Sequence, residues 1–539
     1  MKPGFHEAFD HLDTCLNARM SAARTPGMVI ALTDRVKTLR LKAYGHSDLE
    51  SQAALQVEDL FAIGSLGKSF TGIATLKASE AGLLDLNAPI SAVLPWFNPP
   101  SPYSPITAHH LLTHSSGMIS GTEFSPDPRA ELFAVGQMEP GFAPGTHLSY
   151  SDAGYKLLGL ALEAVTGKPY AEIIYEWILD PLGMSHTYAI TTQGLHPLMA
   201  TGYRSLYDDR PAHASHPLVP ADFVETNSGD GCIVSNAADM ARYARMLLND
   251  GCASDGTPLL SAHSFARMVK PMIQEEGESY SYGLYLFEDD GYRIAGHGGD
   301  VPGYECYLWL DLDNGLGTLV LMTTPYTPRA SFLTLEFFRA AYLGHRLPVE
   351  PPLPDFTHVS HPADYVGDYQ PASPGAPLLC MEAEGNHLYL LCDGQRVALE
   401  ERGVDCFYAN HPYFDRYLLR FERLHGKISE VYVGPHWYVT ERYTRPRVFE
   451  TPAAWAAFPG HYRTYNPWQS NFRVFLRKGR LVLAWPSGDE EYLTPLSDTH
   501  FRVGEEAYIP ERLVFDQVVT GQALRATRSG CPYYRFFLP

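Results

Sequence analysis

The end of the chain carries one pattern twice, and this limits its architecture more than any other feature. Ala363-Asp364-Tyr365-Val366-Gly367-Asp368-Tyr369 is answered 93 residues later by Ala456-Ala457-Phe458-Pro459-Gly460-His461-Tyr462. Leu388-Tyr389-Leu390 returns at the same offset as Leu481-Val482-Leu483, and Phe421 returns as Phe515, one residue further on. Between these marks the helical signal almost vanishes, and short alternating segments are separated by glycine turns. Two successive antiparallel all-β barrels of roughly 90 residues each follow from that pattern, over 363–450 and 451–539. Small barrels commonly fill their interiors with side chains, so neither is expected to hold a ligand site of its own.

Ahead of the repeat lies Leu347-Pro348-Val349-Glu350-Pro351-Pro352-Leu353-Pro354. Four prolines in that run exclude a helix or central strand, so 348–362 reads as a stiff linker. Residues 1–347 mix both periodicities. Val29-Ile30-Ala31-Leu32 with Thr38-Leu39-Arg40-Leu41 reads as a hairpin, as does Tyr304–Leu310 with Thr318–Met322 around Asn314-Gly315. Leu66–Ala81 and Gly154–Val165 space their apolar residues as helices do.

At 539 residues the chain exceeds what one core serves, consistent with several domains. Its 41 Lys+Arg against 61 Asp+Glu give a formal charge of −20, which repels nucleic acids and anionic lipid surfaces. No apolar run is long enough to span a bilayer, and the first residues lack the apolar core of a secretory signal, so a cytoplasmic location is expected. The eight scattered cysteines form no C-x-x-C pair and read as reduced, mostly buried thiols.

Three short segments carry chemistry. In Gly64-Ser65-Leu66-Gly67-Lys68-Ser69, Ser65 is the one serine placed three residues before a lysine. On a helix those positions share a face, so the Lys68 amine reaches the Ser65 hydroxyl, which needs a base to become a nucleophile. The spacing alone arises by chance in a chain or two of this size. A phosphate loop ending Gly67-Lys68-Ser69 fails, because Ala62 stands where a glycine is needed. In Leu148-Ser149-Tyr150-Ser151-Asp152-Ala153, a turn delivers Tyr150 ahead of the second helix. Beside a lysine ammonium its phenol can act as general base or proton relay. The plain alternative is that Ser151 or Asp152 caps the helix and Tyr150 packs in the core. In Gly296-His297-Gly298-Gly299-Asp300, adjacent glycines let another group approach a strand closely, and His297 either lines a cleft or marks a turn.

In order and spacing these segments resemble the signature of the penicillin-recognising serine hydrolases: Ser-x-x-Lys, Tyr-x-Asn, then a Lys/His-x-Gly strand. Ile106–Met118, with Leu111-Leu112-Thr113-His114-Ser115-Ser116-Gly117, and Asp230–Met240 also look like that superfamily. The final barrel, with His461-Tyr462-Arg463 and Pro510-Glu511-Arg512-Leu513, resembles the lipocalin-like domains attached to D-aminopeptidases. The resemblance implies an α/β (α+β) catalytic domain with an antiparallel sheet and a helical insertion, followed by the two barrels. It makes Ser65 the acylated nucleophile, Lys68 its base partner and Tyr150 the proton shuttle. His297 and Gly299 fall in the third motif, and the Asp300 and Ser65 N–H groups become oxyanion donors. No cofactor or metal is implied, and His109, His110 and His114 become structural. The implied partner is a small-molecule or short-peptide substrate, with room for a homodimer. D-aminopeptidase or amidase chemistry leads. Carboxylesterase, acyl transferase or peptide cyclase follows, then β-lactamase, and a catalytically silent binding protein is the non-enzyme reading.

Two departures bear on this. His297 replaces the lysine of β-lactamases, and a largely neutral imidazole attracts a β-lactam carboxylate weakly. Asp152 replaces the usual asparagine and cannot donate an amide hydrogen bond. It either attracts a substrate ammonium, the expectation adopted here, or favours the charged form of Lys68.

Overall fold

The computed structural model describes residues 5–122, 127–275, 277–324, 329–349, 352–372, 376, 378–392 and 394–537. Glu350 and Pro351 of the proline-rich run lie outside the described residues. The chain forms two compact units: Met1–Arg204, Leu218–Pro351 and Asn466–Trp468 in the first; Ser205–Pro217, Pro352–Tyr465 and Gln469–Pro539 in the second.

The first unit is built on a nine-stranded antiparallel sheet. Its strands are β1 (Gly27–Asp34), β2 (Thr38–Asp48), β3 (Ala53–Ala54), β4 (Ile273–Glu275), β5 (Glu278–Tyr280), β6 (Tyr285–Asp289), β7 (Tyr292–Val301), β8 (Tyr304–Asp311) and β9 (Leu316–Met322). They lie in the order β3-β2-β1-β9-β8-β7-β6-β5-β4, so the N-terminal hairpin docks on the last strand of the unit. The main helices are α1 (Phe5–Ala23), α2 (Gly67–Glu80), α3 (Asp152–Thr166), α4 (Ala237–Leu248) and α5 (Ala330–Leu343).

β1 reads as a continuous apolar run because both faces of the sheet are covered. Met28 and Ile30 pack with Leu12 and Leu16 of α1 and Leu333 and Phe337 of α5. Val29 and Ala31 face the larger core, which takes in Phe70 and Ile73 of α2 and Leu247 of α4. α2 is buried almost all round, Lys68 and Ser69 included, and so runs through the middle of that core. Among the described residues no helix is long and apolar enough to cross a membrane.

The second unit holds two closed eight-stranded antiparallel barrels, the first from Gly367–Pro371 to His436–Val439 and the second from Gly460–Arg463 to Cys531–Phe536. The sequence repeat is a structural one. Leu388 and Leu390 lie on the third strand of one barrel, and Leu481 and Leu483 on the third strand of the other. Phe421 and Phe515 occupy the sixth strands. The Tyr369 hydroxyl donates to the Tyr365 carbonyl at 2.7 Å, and the Tyr462 hydroxyl to the Phe458 carbonyl at 2.7 Å. Ser205–Pro217 joins this unit through side chains: Arg210 Nη1 meets Asp415 Oδ2 and His213 Nε2 meets Glu400 Oε1, both at 2.7 Å.

Candidate active site

Ser65 sits in a 3-10 turn, Gly64–Leu66, that runs directly into α2. It is the one partly exposed residue between Phe61 and Phe70. Two close backbone approaches set the turn. A side chain on Gly299 of β7 would bring its first carbon to 1.9 Å from the Ile63 carbonyl oxygen. Gly64 has a φ of +51°, and a side chain there would press on the Asp300 nitrogen at 2.9 Å. The edge of β7 therefore lies against the turn, with the Asp300 N–H one residue from Ser65.

Lys68, in the first turn of α2, is fully buried. Its Nζ donates to Ser65 Oγ at 2.9 Å and to the Asp230 carbonyl at 2.9 Å, and lies 2.5 Å from Asp152 Oδ1. The Asp152 side chain is 28% exposed. The lysine nitrogen also stands over the Tyr150 ring, 4.8 Å from its centroid. The alcohol, the amine and the phenol singled out in the sequence thus come together, and Asp152 joins them.

The turn that carries Tyr150 is held by the segment 114–120. Ser149 N–H donates to the His114 carbonyl at 2.8 Å and Ser151 N–H to His114 Nδ1 at 3.0 Å. Asp152 N–H donates to the Ser120 carbonyl at 2.6 Å. Ser151, not Asp152, caps α3, its Oγ accepting from Gly154 N–H at 3.0 Å and donating to the Ile119 carbonyl at 2.6 Å. The cap falls to Ser151, and the residues on either side of it, Tyr150 and Asp152, both approach Lys68.

Burial holds the His114 ring well below the ordinary imidazole range, with the Lys68 charge adding to the effect. The neutral ring lies 4.2 Å from Tyr150 and 4.5 Å from Tyr280, centroid to centroid. His297 is 3% exposed. Its Nε2 accepts from the Tyr280 hydroxyl at 3.1 Å and its Nδ1 meets the Gly298 carbonyl. Burial, then Lys68, pushes it down to about 3. The third motif thus supplies a neutral, buried imidazole whose ring lies 6.1 Å from that of Tyr150, centroid to centroid.

Tyr150 behaves differently from the phenolate expected of a phenol beside an ammonium. Burial and the Asp152 carboxylate push it well above its ordinary value, against a smaller opposing effect of its hydrogen bond with Ser65. Lys68 spends its charge on Asp152, and Asp152 itself repels a second anion. The phenol keeps its proton.

His109 and His110 lie apart from this cluster: His109 Nδ1 meets the Tyr282 hydroxyl at 2.8 Å, and His110 completes a capping box with Thr107. Sequence reasoning missed Tyr280, Tyr285 and the Asp230 carbonyl. The phenol-dense run Tyr280-Ser281-Tyr282-Gly283-Leu284-Tyr285 was the available signal for the first two. A backbone acceptor has no residue signature.

The beta-lactamase family profile matches residues 12–337, which is more than half of the chain. The chain belongs to the beta-lactamase family. It is 27% identical over 329 residues to penicillin-binding protein 4* of Bacillus subtilis, covering 56% of this chain and 69% of that protein. It is 26% identical over 411 residues to the D-aminopeptidase of Cereibacter sphaeroides, covering 73% of each. The solved octameric penicillin-binding protein homologue from Pyrococcus abyssi shares its fold, with a TM-score of 0.59, 24% identity, and coverage of 80% of this chain and 100% of that one. EstCE1, a hydrolase with promiscuous acyltransferase activity, shares the fold at a TM-score of 0.53 and 20% identity, covering 62% of this chain and 99% of that one. As a beta-lactamase-family protein with penicillin-binding and D-aminopeptidase relatives, the chain is a serine hydrolase. The family match covers the sheet, α2 and α3, and so every residue of the Ser65 cluster.

Proposed function

We propose that this hydrolase acts on small amides and short peptides, as a D-stereospecific aminopeptidase or amidase, through an acyl-enzyme on Ser65. One observation carries the reading: Ser65, partly exposed at a helix start, accepts at its Oγ a hydrogen bond from the buried Lys68 at 2.9 Å, with the β7 edge against the same turn. In this reading Ser65 Oγ attacks the substrate carbonyl, and the Ser65 and Asp300 N–H groups take the oxyanion. Tyr150, holding its proton, donates toward the departing nitrogen, and water then releases the acid. The neutral His297 offers no permanent cation to a β-lactam carboxylate, which argues for the peptidase branch over β-lactamase. The similarity to a D-aminopeptidase along 73% of each chain supports the same choice.

The test is intact-protein mass spectrometry with a panel of D- and L-aminoacyl anilides and p-nitrophenyl esters, wild type against Ser65→Ala. The expected result is a Ser65-dependent acyl adduct and preferred turnover of D-aminoacyl anilides. Turnover of esters alone would move the protein to the carboxylesterase or acyl transferase branch. Turnover that persists without Ser65 would overturn the reading.

A further inference from the structure

Lys68 has three acceptors around it: Ser65 Oγ at 2.9 Å, the Asp230 carbonyl at 2.9 Å and Asp152 Oδ1 at 2.5 Å. An ammonium has three hydrogens to give, whereas a neutral amine has two and a lone pair. The first two of those contacts are hydrogen bonds and the third is an ion-pair contact; a nitrogen lone pair turned toward a carboxylate oxygen at that distance would be repelled, so the arrangement is that of an ammonium against a carboxylate. Such a lysine has no lone pair with which to take the serine proton. The carboxylate beyond it does.

We infer that Asp152 is the terminal proton acceptor for attack by Ser65, working through Lys68. The inference rests on the acyl-enzyme reading above. As the bond from Ser65 Oγ to the acyl carbon forms, the hydroxyl proton passes to Lys68 Nζ, and Lys68 passes one of its own to Asp152 Oδ1. The carbonyl π pair moves onto oxygen. The ammonium–carboxylate pair becomes an ammonium and a carboxylic acid, and the positive charge gained balances the oxyanion. When the intermediate collapses, the bond to the leaving nitrogen or oxygen breaks with its electron pair. The leaving group takes the proton of Tyr150, the phenol recovers one from Lys68, and Lys68 recovers one from Asp152. Asp152 touches no reacting atom, so it is a positioning residue that sets the protonation of Lys68. An asparagine at this place accepts a hydrogen bond but cannot hold the proton.

The neighbours leave this pair to govern the step. From the segment after the helix Ala108–Leu112, His114 is neutral, and from β7 so is His297, which burial pushes down to about 3. Tyr150 ahead of α3 and Tyr155 on it keep their protons, and Tyr285 of β6 is pushed up to about 12 by burial. Lys156, one turn beyond Asp152, is engaged by Glu131 at 2.6 Å and stands 3.9 Å from Asp230 Oδ2.

The experiment follows the rate of Ser65 modification by a fluorophosphonate across pH, for the full-length wild type and the Asp152→Asn and Asp152→Ala variants, with folding checked by thermal denaturation. A fluorophosphonate carries no amine, so any selection of substrate ammonium by Asp152 does not enter. With a carboxylate as final acceptor, the wild-type rate holds to low pH, and loss of the carboxylate leaves the amine alone as base. Both variants are expected to move the acid limb upward by at least about one pH unit, with a deficit of about tenfold at the acid end that closes at alkaline pH. A deficit equal at all pH values, or an unmoved limb, overturns the relay. Absence of wild-type labelling would instead overturn the acyl-enzyme reading and the relay with it.

Discussion

Asp300 and Glu305 stand opposite each other across β7 and β8, two carboxylates at the strand ends beside the Ser65 turn. Burial raises Glu305 to about 7 from its ordinary 4.5, the Asp300 charge adds to this, and the Tyr307 hydroxyl, donating at 2.5 Å, opposes it. A carboxyl raised on folding keeps its proton in the native state while the unfolded chain has already lost its own. Stability therefore falls as pH rises from about 4.5 and levels off above about 7. Glu305→Gln keeps the shape and removes the titration. Calorimetry should find the variant gaining on the wild type as pH rises across that window, and parallel curves would exclude Glu305 as the source. The residue scale is also where the sequence was least legible. Ser65, Lys68 and Tyr150 stand out through the resemblance of their three segments, taken together, to a known signature. Whether Asp152 faces Lys68 or an open cleft depends on how α2 and α3 approach one another, which neither helix encodes alone.

At the scale of elements, the long periodic segments were readable because one physical cause sets them: apolar spacing matched to burial. The hairpin β1–β2, the hairpin β8–β9 and the helices α2 and α3 all fall where that spacing places them. β5 has three residues, too few for a period, so Tyr280 could not be assigned to the site that way. The segment after Leu112 was recognisable by resemblance, but its work is tertiary, since it lends carbonyls and an imidazole to the turn before α3. Ser151 links the two functions by capping α3 and bonding Ile119. Ser151→Ala should lose the cap, at a cost of about 1 kcal/mol, and loosen the turn that presents Tyr150. Thermal denaturation and fluorophosphonate labelling should therefore fall together. A lowered unfolding transition of the first unit with undiminished labelling would show that the turn keeps its place without the serine.

At the scale of the whole molecule, the repeat predicts more than two similar outlines. Arg442 follows the last strand of the first barrel and Arg535 lies on the last strand of the second, and each guanidinium acts on its own barrel's buried tyrosine, Tyr369 or Tyr462. The equivalence is not perfect. Tyr462 receives a direct hydrogen bond from Arg535 Nη2 at 3.1 Å and reaches the Ala523 carbonyl at 3.3 Å as well as that of Phe458. For Tyr369 the contact with the Tyr365 carbonyl closes the turn into the first strand. Tyr369→Phe should then cost the first barrel about 1 kcal/mol, the net worth of one such bond, and Tyr462→Phe should cost the second barrel more, because Arg535 also loses an acceptor. A chain of several domains has no single unfolding midpoint, so the measurement is amide hydrogen exchange resolved by barrel. Each substitution should speed exchange in its own barrel, Tyr462→Phe by the larger factor. Equal acceleration in both barrels from either change would mean that they open as one cooperative body, and the repeat would then describe their ancestry and shape but not their energetics.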